Sequence, residues 1–188
     1  MTDERKREIE AEADRIIETH NLQTPGFNLA KFLTGFEGFM LGMQDLDDDT
    51  TGMLLVNDSE YIKGTETNRL IVVNRSIRET APDRETFIRK RRFIVAHEYG
   101  HFILHKKADE KLFAHRDHSK RNSPQEEEAD YFARCLLMPR ALVKKFVDME
   151  EVKETNWNEW ADLIARVFNV TPKKAKQRLC EDLGVGAP

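Results

Sequence analysis

The N-terminal part of the chain alternates apolar and charged positions with the period of a helix. An apolar residue recurs every three or four positions between residues 4 and 19, and charged residues fill most of the places between them. These apolar positions are Ile9, Ala13, Ile16 and Ile17. Such a stripe predicts an amphipathic helix, which ends before Pro25 and Gly26. A second helix is predicted to begin at the N-cap Asn28.

The pattern changes to that of strands farther along the chain. The runs GMLLV, from Gly52, and LIVVN, from Leu70, are short and apolar, and a polar segment separates them. Runs of this length predict β-strands. We expect the two strands to be neighbours in a small antiparallel sheet.

From Thr80 onward the pattern is that of one long helix. Thr80 is a predicted N-cap, Pro82 would lie in the first turn, and nothing breaks the helical pattern before His105. The next segment is polar and irregular up to Ser123, and a further helix, PQEEEADYFARCLLM, then ends at Pro139. Helices that follow one small sheet predict an α+β fold built around the long helix.

The C-terminal part predicts a helical hairpin. Trp157 to Phe168 has an apolar face, Asn169 can turn the chain, and Thr171 with Pro172 starts a last helix that Gly184 ends. The spacing resembles a helix-turn-helix unit, with Asn169 in the place of the usual turn glycine. We therefore divide the chain into a main domain over residues 1–150 and a C-terminal helical appendage over residues 151–188.

Composition and charge limit the classes of binding partner that the sequence predicts. The chain has 188 residues, a formal net charge of −4 and two cysteines, which gives no overall attraction to nucleic acid or to an anionic membrane. No apolar run approaches the length needed for a signal peptide or for a membrane span of about 20 residues. The sequence therefore predicts a cytoplasmic protein with no membrane partner.

The middle of the long helix carries polar residues in an apolar run. In FIVAHEYGHFILH, residues 93–105, His97 and His101 are four apart and Glu98 follows the first of them. Residues four apart share one helix face, so both imidazoles can bind one zinc ion. Glu98 lies beside them, where a carboxylate can take the proton of a water activated by the ion. The alternative is a core helix whose histidines are satisfied by other polar groups, and so apolar a run disfavours it.

A catalytic zinc site has three protein ligands and an open position, so a further ligand must come from elsewhere. His105 would lie about 12 Å along the helix from His97, which makes it a structural residue or one that orients a ligand. In the helix after Ser123, Glu126 and Asp130 share a face, and Asp130 can accept the second N–H of a zinc-bound histidine. Glu128 competes with Glu126 as the ligand, and the pairing with Asp130 favours Glu126.

Together these motifs resemble the ImmA/IrrE family of zinc-dependent metallopeptidases. RRFIVAHEYGHFILH, residues 91–105, is similar to the family's HExxH helix, and EEEADYFARCLLMP, residues 126–139, to its downstream helix. GMLLV and LIVVN resemble the two strands before the active-site helix, so the likeness covers roughly residues 52–184.

The resemblance implies that His97, His101 and Glu126 are zinc ligands and that Glu98 is the general base. The glutamate-then-aspartate spacing of Glu126 and Asp130 is also similar to that of thermolysin-like enzymes, the gluzincins. We assign the peptidase domain to residues 1–150. The resemblance also implies that the substrate is a protein, a helix-turn-helix repressor of a mobile element or stress response. A substrate strand would then add to the edge of the sheet.

Two further roles stay open at the level of sequence. His115, Arg116 and His118 are candidates to stabilise the oxyanion of the reaction, although a polar loop is more often only a loop. Lysines on the last helix could meet DNA, but nearby acidic residues favour a hairpin that covers the peptidase core. The rival class is a DNA-associated regulator that uses its zinc fold as a sensor or scaffold without turnover.

Overall fold

The structure, a computed structural model, describes residues 1–56, 67–105, 112–117, 123–149 and 157–184. The helices are α1 (Asp3–Thr19), α2 (Leu29–Gly35), α3 (Ser76–Glu79), α4 (Arg84–His105), α5 (Pro124–Leu137), α6 (Arg140–Met149), α7 (Trp157–Phe168) and α8 (Pro172–Gln177), and a π-helical turn over Arg178–Asp182 continues α8. The strands are β1 (Met40–Gln44), β2 (Thr50–Val56), β3 (Arg69–Asn74) and β4 (Leu112–Asp117). The predicted α+β fold is confirmed.

The described strands form one mixed sheet in the order β1-β3-β2-β4. β2 and β3 are antiparallel neighbours, with Leu54 opposite Ile71, as their sequences predict. β4 is also antiparallel to β2, whereas β1 runs parallel to β3, so the prediction of a purely antiparallel sheet is wrong for one pair. β1 lies in a glycine-containing segment and β4 in a segment that the sequence indicates to be irregular.

The chain divides into two compact units. One consists of Met1 and residues 28–133, and the other of residues 2–27 and 134–188. The first unit contains the sheet with α2, α3 and α4, and the second contains α1, α6, α7 and α8. The functional division at residue 150 stays a prediction.

The long helix α4 begins later than the sequence predicts. The Asp83 carboxylate accepts a hydrogen bond of 2.7 Å from the backbone N–H of Thr86, which caps a helix that starts at Arg84. Thr80 instead ends α3, where its hydroxyl donates to the Ser76 carbonyl at 2.9 Å. The prediction of Thr80 as N-cap is therefore wrong, because the nearer Asp83 does the capping.

The second half of α4 lies in the core of the first unit. All residues from 93 to 101 are buried, including His97, Glu98 and His101. The Tyr99 ring packs edge-on against Phe32 and Phe39, with centroids 5.8 Å apart in each pair, and against Phe132 at 6.0 Å. Such pairs add about 0.5–1.5 kcal/mol each beyond the burial of their area. They hold the part of α4 that carries the polar residues.

In the second unit, the turn between α7 and α8 has the predicted form. Asn169 adopts a left-handed conformation with φ of 53°. Beyond it, Arg178 is fully buried, donates to the Glu10 carboxylate at 2.5 Å and donates to the Met138 carbonyl at 3.0 Å. Because an uncompensated buried guanidinium is costly, these contacts explain how an arginine is accommodated inside this unit.

Candidate metal centre

α4 and α5 bring three side chains with ligand atoms to one point of the first unit. His97 Nε2 lies 3.1 Å from His101 Nε2 and 3.1 Å from a Glu126 carboxylate oxygen. His101 Nε2 lies 3.0 Å from the other oxygen of Glu126. Glu126 is in the first turn of α5, which Ser123 caps by accepting a hydrogen bond from the Glu126 N–H at 3.2 Å.

The donor atoms fit a zinc ion. His97 Nδ1 lies 2.9 Å from an Asp130 carboxylate oxygen, which can accept a ring proton there and so leave Nε2 available to bind a metal ion. Bonds of about 2.1 Å in a tetrahedral zinc site place ligand atoms about 3.4 Å apart, close to the separations seen here. His97, His101 and Glu126 are therefore able to hold one metal ion.

The electrostatics of Glu126 suit an ionised ligand. Burial raises the pKa of its carboxyl, but the hydrogen bonds with His101 and His97 more than offset this and hold the pKa at about 2. Burial lowers the pKa of His101, against the opposing effect of its hydrogen bond with Glu126. A metal ligand must be a carboxylate or a neutral imidazole. The low pKa of Glu126 favours the carboxylate and the lowered pKa of His101 favours the neutral ring, and a bound ion would take the place of the ring protons at Nε2.

Close packing of α4 on α5 sets the position of Glu126. A Cβ added to Gly100 would lie 3.1 Å from the Phe132 ring, 3.2 Å from the Ala129 carbonyl oxygen and 3.3 Å from the Ala129 Cα. Ala129 and Ala133 are fully buried. The two helices come this close because Gly100 has no side chain and the facing residues are small, as the alanines of α5 predict.

His105 and Glu128 lie next to the centre without contributing to the three-atom group. His105 Nδ1 is 3.0 Å from His101 Nδ1, and His105 Nε2 is 3.1 Å from a Glu128 carboxylate oxygen. The structure thus places Glu126 at the two histidines and Glu128 at His105. The sequence leaves this choice open, because the two glutamates are separated by only two residues at the start of one helix.

Glu98 is fully buried beside the glycine of β2. A Cβ added to Gly52 would lie 2.7 Å from a carboxylate oxygen of Glu98 and 2.5 Å from Ile94 Cγ2, well inside contact distance. Gly52 is thus a close neighbour of Glu98 that sequence reasoning missed. A glycine within an apolar strand is the signal that could have found it, since it often marks a close approach.

We expect the substitution Gly52→Ala to displace the Glu98 carboxylate or β2. A misplacement of about 1 Å can lower a rate by about 10²-fold, and any hydrolysis that depends on Glu98 should fall on this scale while the metal ligands stay in place. Gly42→Ala in β1 is the control, because within 4 Å a Cβ there would meet, among the described residues, only Leu70 Cδ1 at 3.9 Å. Measured hydrolysis that is equal for the two variants would contradict this role of Gly52.

The predicted oxyanion stabilisers are not tested by the structure. His118 lies outside the described residues. The backbone of β4 places His115 opposite Met53 of β2, and Arg116 follows it in the strand. Their role stays a prediction.

An α+β fold with two helical histidines and a glutamate gathered at one point is typical of a metal-dependent peptidase. The model of the IrrE N-terminal-like domain family, Peptidase_M78, matches residues 47–180, and the chain belongs to this family. The resemblance to the ImmA/IrrE family is thereby confirmed. A search of curated proteins finds no match. None of the described helices is both long enough and apolar enough to cross a membrane.

Proposed function

We propose that this chain is a zinc metalloendopeptidase of the HExxH type. His97, His101 and Glu126 would hold the ion, and Glu98 would act as the general base. The observation that carries the proposal is the approach of two imidazole nitrogens and one carboxylate to within 3.1 Å of one another in the first unit. A bound zinc ion supplies a Lewis acid for the scissile carbonyl and lowers the pKa of a water toward about 7.

Side chains of this chain would carry out the proton transfer and hold the metal ligands in place. The Glu98 carboxylate accepts the proton of the attacking water and then donates it to the nitrogen of the departing amine. Asp130 holds the proton of His97 at Nδ1, so that the ring keeps one orientation. Burial of Glu98 at 0% exposure keeps bulk water from competing for its carboxylate.

The proposed substrate is a regulatory protein in the cytoplasm, most specifically a helix-turn-helix repressor of a mobile element or stress response. The support for this partner is the family, because a peptidase family implies a protein substrate. An extended segment of that protein would add to an edge of the sheet, where backbone groups can pair. The proposed division of labour assigns hydrolysis to residues 1–150 and leaves residues 151–188 as a helical appendage.

The alternative function is a DNA-associated regulator without turnover. It is favoured by exposed Lys173 and Lys176 on α8, which could meet phosphates. Arg178, the next basic residue of the same segment, is fully buried against Glu10 and is unavailable for such a contact. We therefore place direct DNA binding second.

Sequencing of protein N-termini tests the proposed substrate class. Cells of the source organism would express either the wild type or Glu98→Gln, and newly formed N-termini would be compared by mass spectrometry. We expect termini inside a DNA-binding repressor that appear only with the wild type. Identical sets of termini, together with DNA binding by both proteins, would support the alternative.

A further inference from the structure

We infer that His105 and Glu128 form a hydrogen-bond relay that fixes the ring proton of His101 at Nδ1 and so directs its Nε2 into the metal centre. This inference rests on the proposed function, because it concerns the orientation of a proposed ligand. It makes His105 and Glu128 positioning residues. It also gives a function to the polar end of α4, which the HExxH pattern alone leaves unexplained.

The contacts run in series from one helix to the other. His101 Nδ1 lies 3.0 Å from His105 Nδ1 on the next turn of α4, and His105 Nε2 lies 3.1 Å from Glu128 on α5. The exposed fraction of these side chains is 5% for His101, 10% for His105 and 18% for Glu128. Water therefore has little access to the relay, and each ring nitrogen depends on its protein neighbour.

The direction of the protons follows from the proposed binding of the metal by His101. Two ring nitrogens 3.0 Å apart share one proton, so either His101 or His105 is the donor. If His101 binds a metal through Nε2, its neutral ring carries the proton at Nδ1 and donates it to His105. His105 then carries its own proton at Nε2 and donates it to the Glu128 carboxylate. The opposite direction would place a proton on His101 Nε2, where it would block the metal.

The two histidine ligands are thus oriented in different ways. His97 donates directly to Asp130, whereas His101 reaches the carboxylate of Glu128 through a second imidazole. The spacing 97, 101, 105 places the three rings along one face of α4, and the His101 and His105 centroids are 5.2 Å apart. A relay of this kind requires both His105 and Glu128, so removal of either should have the same kind of effect.

Zinc affinity measured against a competing chelator tests the relay. Removing a partner of a metal-bound histidine lowers metal affinity by about 10–100-fold. We expect losses in this range for His105→Leu and for Glu128→Ala, and no further loss when the two are combined. Glu127→Gln is the control, since Glu127 is a half-exposed neighbour in the same helical turn that pairs with the amino group of Met1.

A conservative variant and a spectrum separate positioning from general stability. The side-chain oxygen of His105→Asn can still accept from His101, so this variant should lose less zinc affinity than His105→Leu. With Co²⁺ as the probe, the visible absorption of His105→Leu should shift relative to wild type and Glu127→Gln, because the orientation of a ligand ring changes.

Two sets of results would overturn the relay, and they are distinguishable. If the wild type binds zinc and all variants bind it equally, or if the two substitutions act additively, the relay is wrong and the proposed function survives. The same holds if Glu127→Gln loses as much affinity as Glu128→Ala. If the wild type binds neither zinc nor Co²⁺, both the relay and the proposed function fail.

Discussion

The Glu98→Gln variant should lose peptide hydrolysis by about 10²–10⁴-fold, the usual contribution of a general base, while it keeps its zinc. Glutamine has nearly the same shape as glutamate and fits the fully buried position beside Gly52 without new volume. It cannot accept and return a proton at neutral pH. Turnover of a peptide substrate and zinc content, measured on the same preparation, check the expectation.

The two readouts of Glu98→Gln separate the possible roles of the residue. Loss of both zinc and turnover would make Glu98 a determinant of the metal centre and not the base. Retained turnover with retained zinc would remove the proposed base altogether. The double variant Gly52→Ala with Glu98→Gln adds a control, because Gly52 is proposed to act through Glu98 and should cause no further loss of turnover.

The second large effect is expected at the proposed carboxylate ligand. Glu126→Ala removes one of three ligands and should weaken zinc binding by more than the roughly 100-fold that marks the upper range for outer partners. The reason is the position of its two oxygens, 3.1 Å from His97 Nε2 and 3.0 Å from His101 Nε2. Zinc dissociation constants of Glu126→Ala and Glu128→Ala, determined side by side, check the ranking.

Glu128→Ala is the matched control in this comparison, because it has the same chemistry in the same helix but contacts His105. The zinc affinity of Glu128→Ala should be about 10–100-fold lower than that of the wild type. If Glu128→Ala lowered the zinc affinity more than Glu126→Ala, Glu128 would be the metal ligand in place of Glu126. It could then not serve as the acceptor of the relay. Thermal unfolding of the zinc-free proteins shows whether either variant has lost its fold.

The parts of the site that sequence could predict are those governed by local periodicity. The spacing of His97 and His101 follows from 3.6 residues per turn, and the small residues of α5 indicate a close helix contact. The strands β2 and β3 were recognisable because their apolar runs are bounded by polar segments. In each case the decisive signal lies within one element.

The features that escaped prediction depend on contacts between distant segments. β1 and β4 lack the continuous four-residue apolar run of β2 and β3, and their identity as strands comes from pairing with β3 and β2. The constraint at Gly52 exists only because Glu98 and Ile94 pack on that point of the strand. Likewise, the choice between Glu126 and Glu128 depends on which side of α5 faces α4, and two residues of offset decide it.

The start of α4 differs from the prediction because two nearby polar residues can each cap a helix. Thr80 and Asp83 both belong to residue types that favour the N-cap, and the helical pattern from Thr80 onward indicates the earlier of the two. In the structure the Asp83 carboxylate accepts from the Thr86 N–H and also from its hydroxyl, at 2.7 and 2.9 Å. Two hydrogen bonds to one carboxylate favour this later start.

The central claim is that His97, His101 and Glu126 hold a zinc ion. Its most direct test is metal content by elemental mass spectrometry on wild type and His97→Ala, purified without chelators and without a nickel affinity tag. We predict about one zinc per chain in the wild type, because the three ligand atoms define a single site, and a near-complete loss in His97→Ala. A wild type that remains free of zinc after zinc is supplied, or a His97→Ala variant that retains it, would contradict the claim.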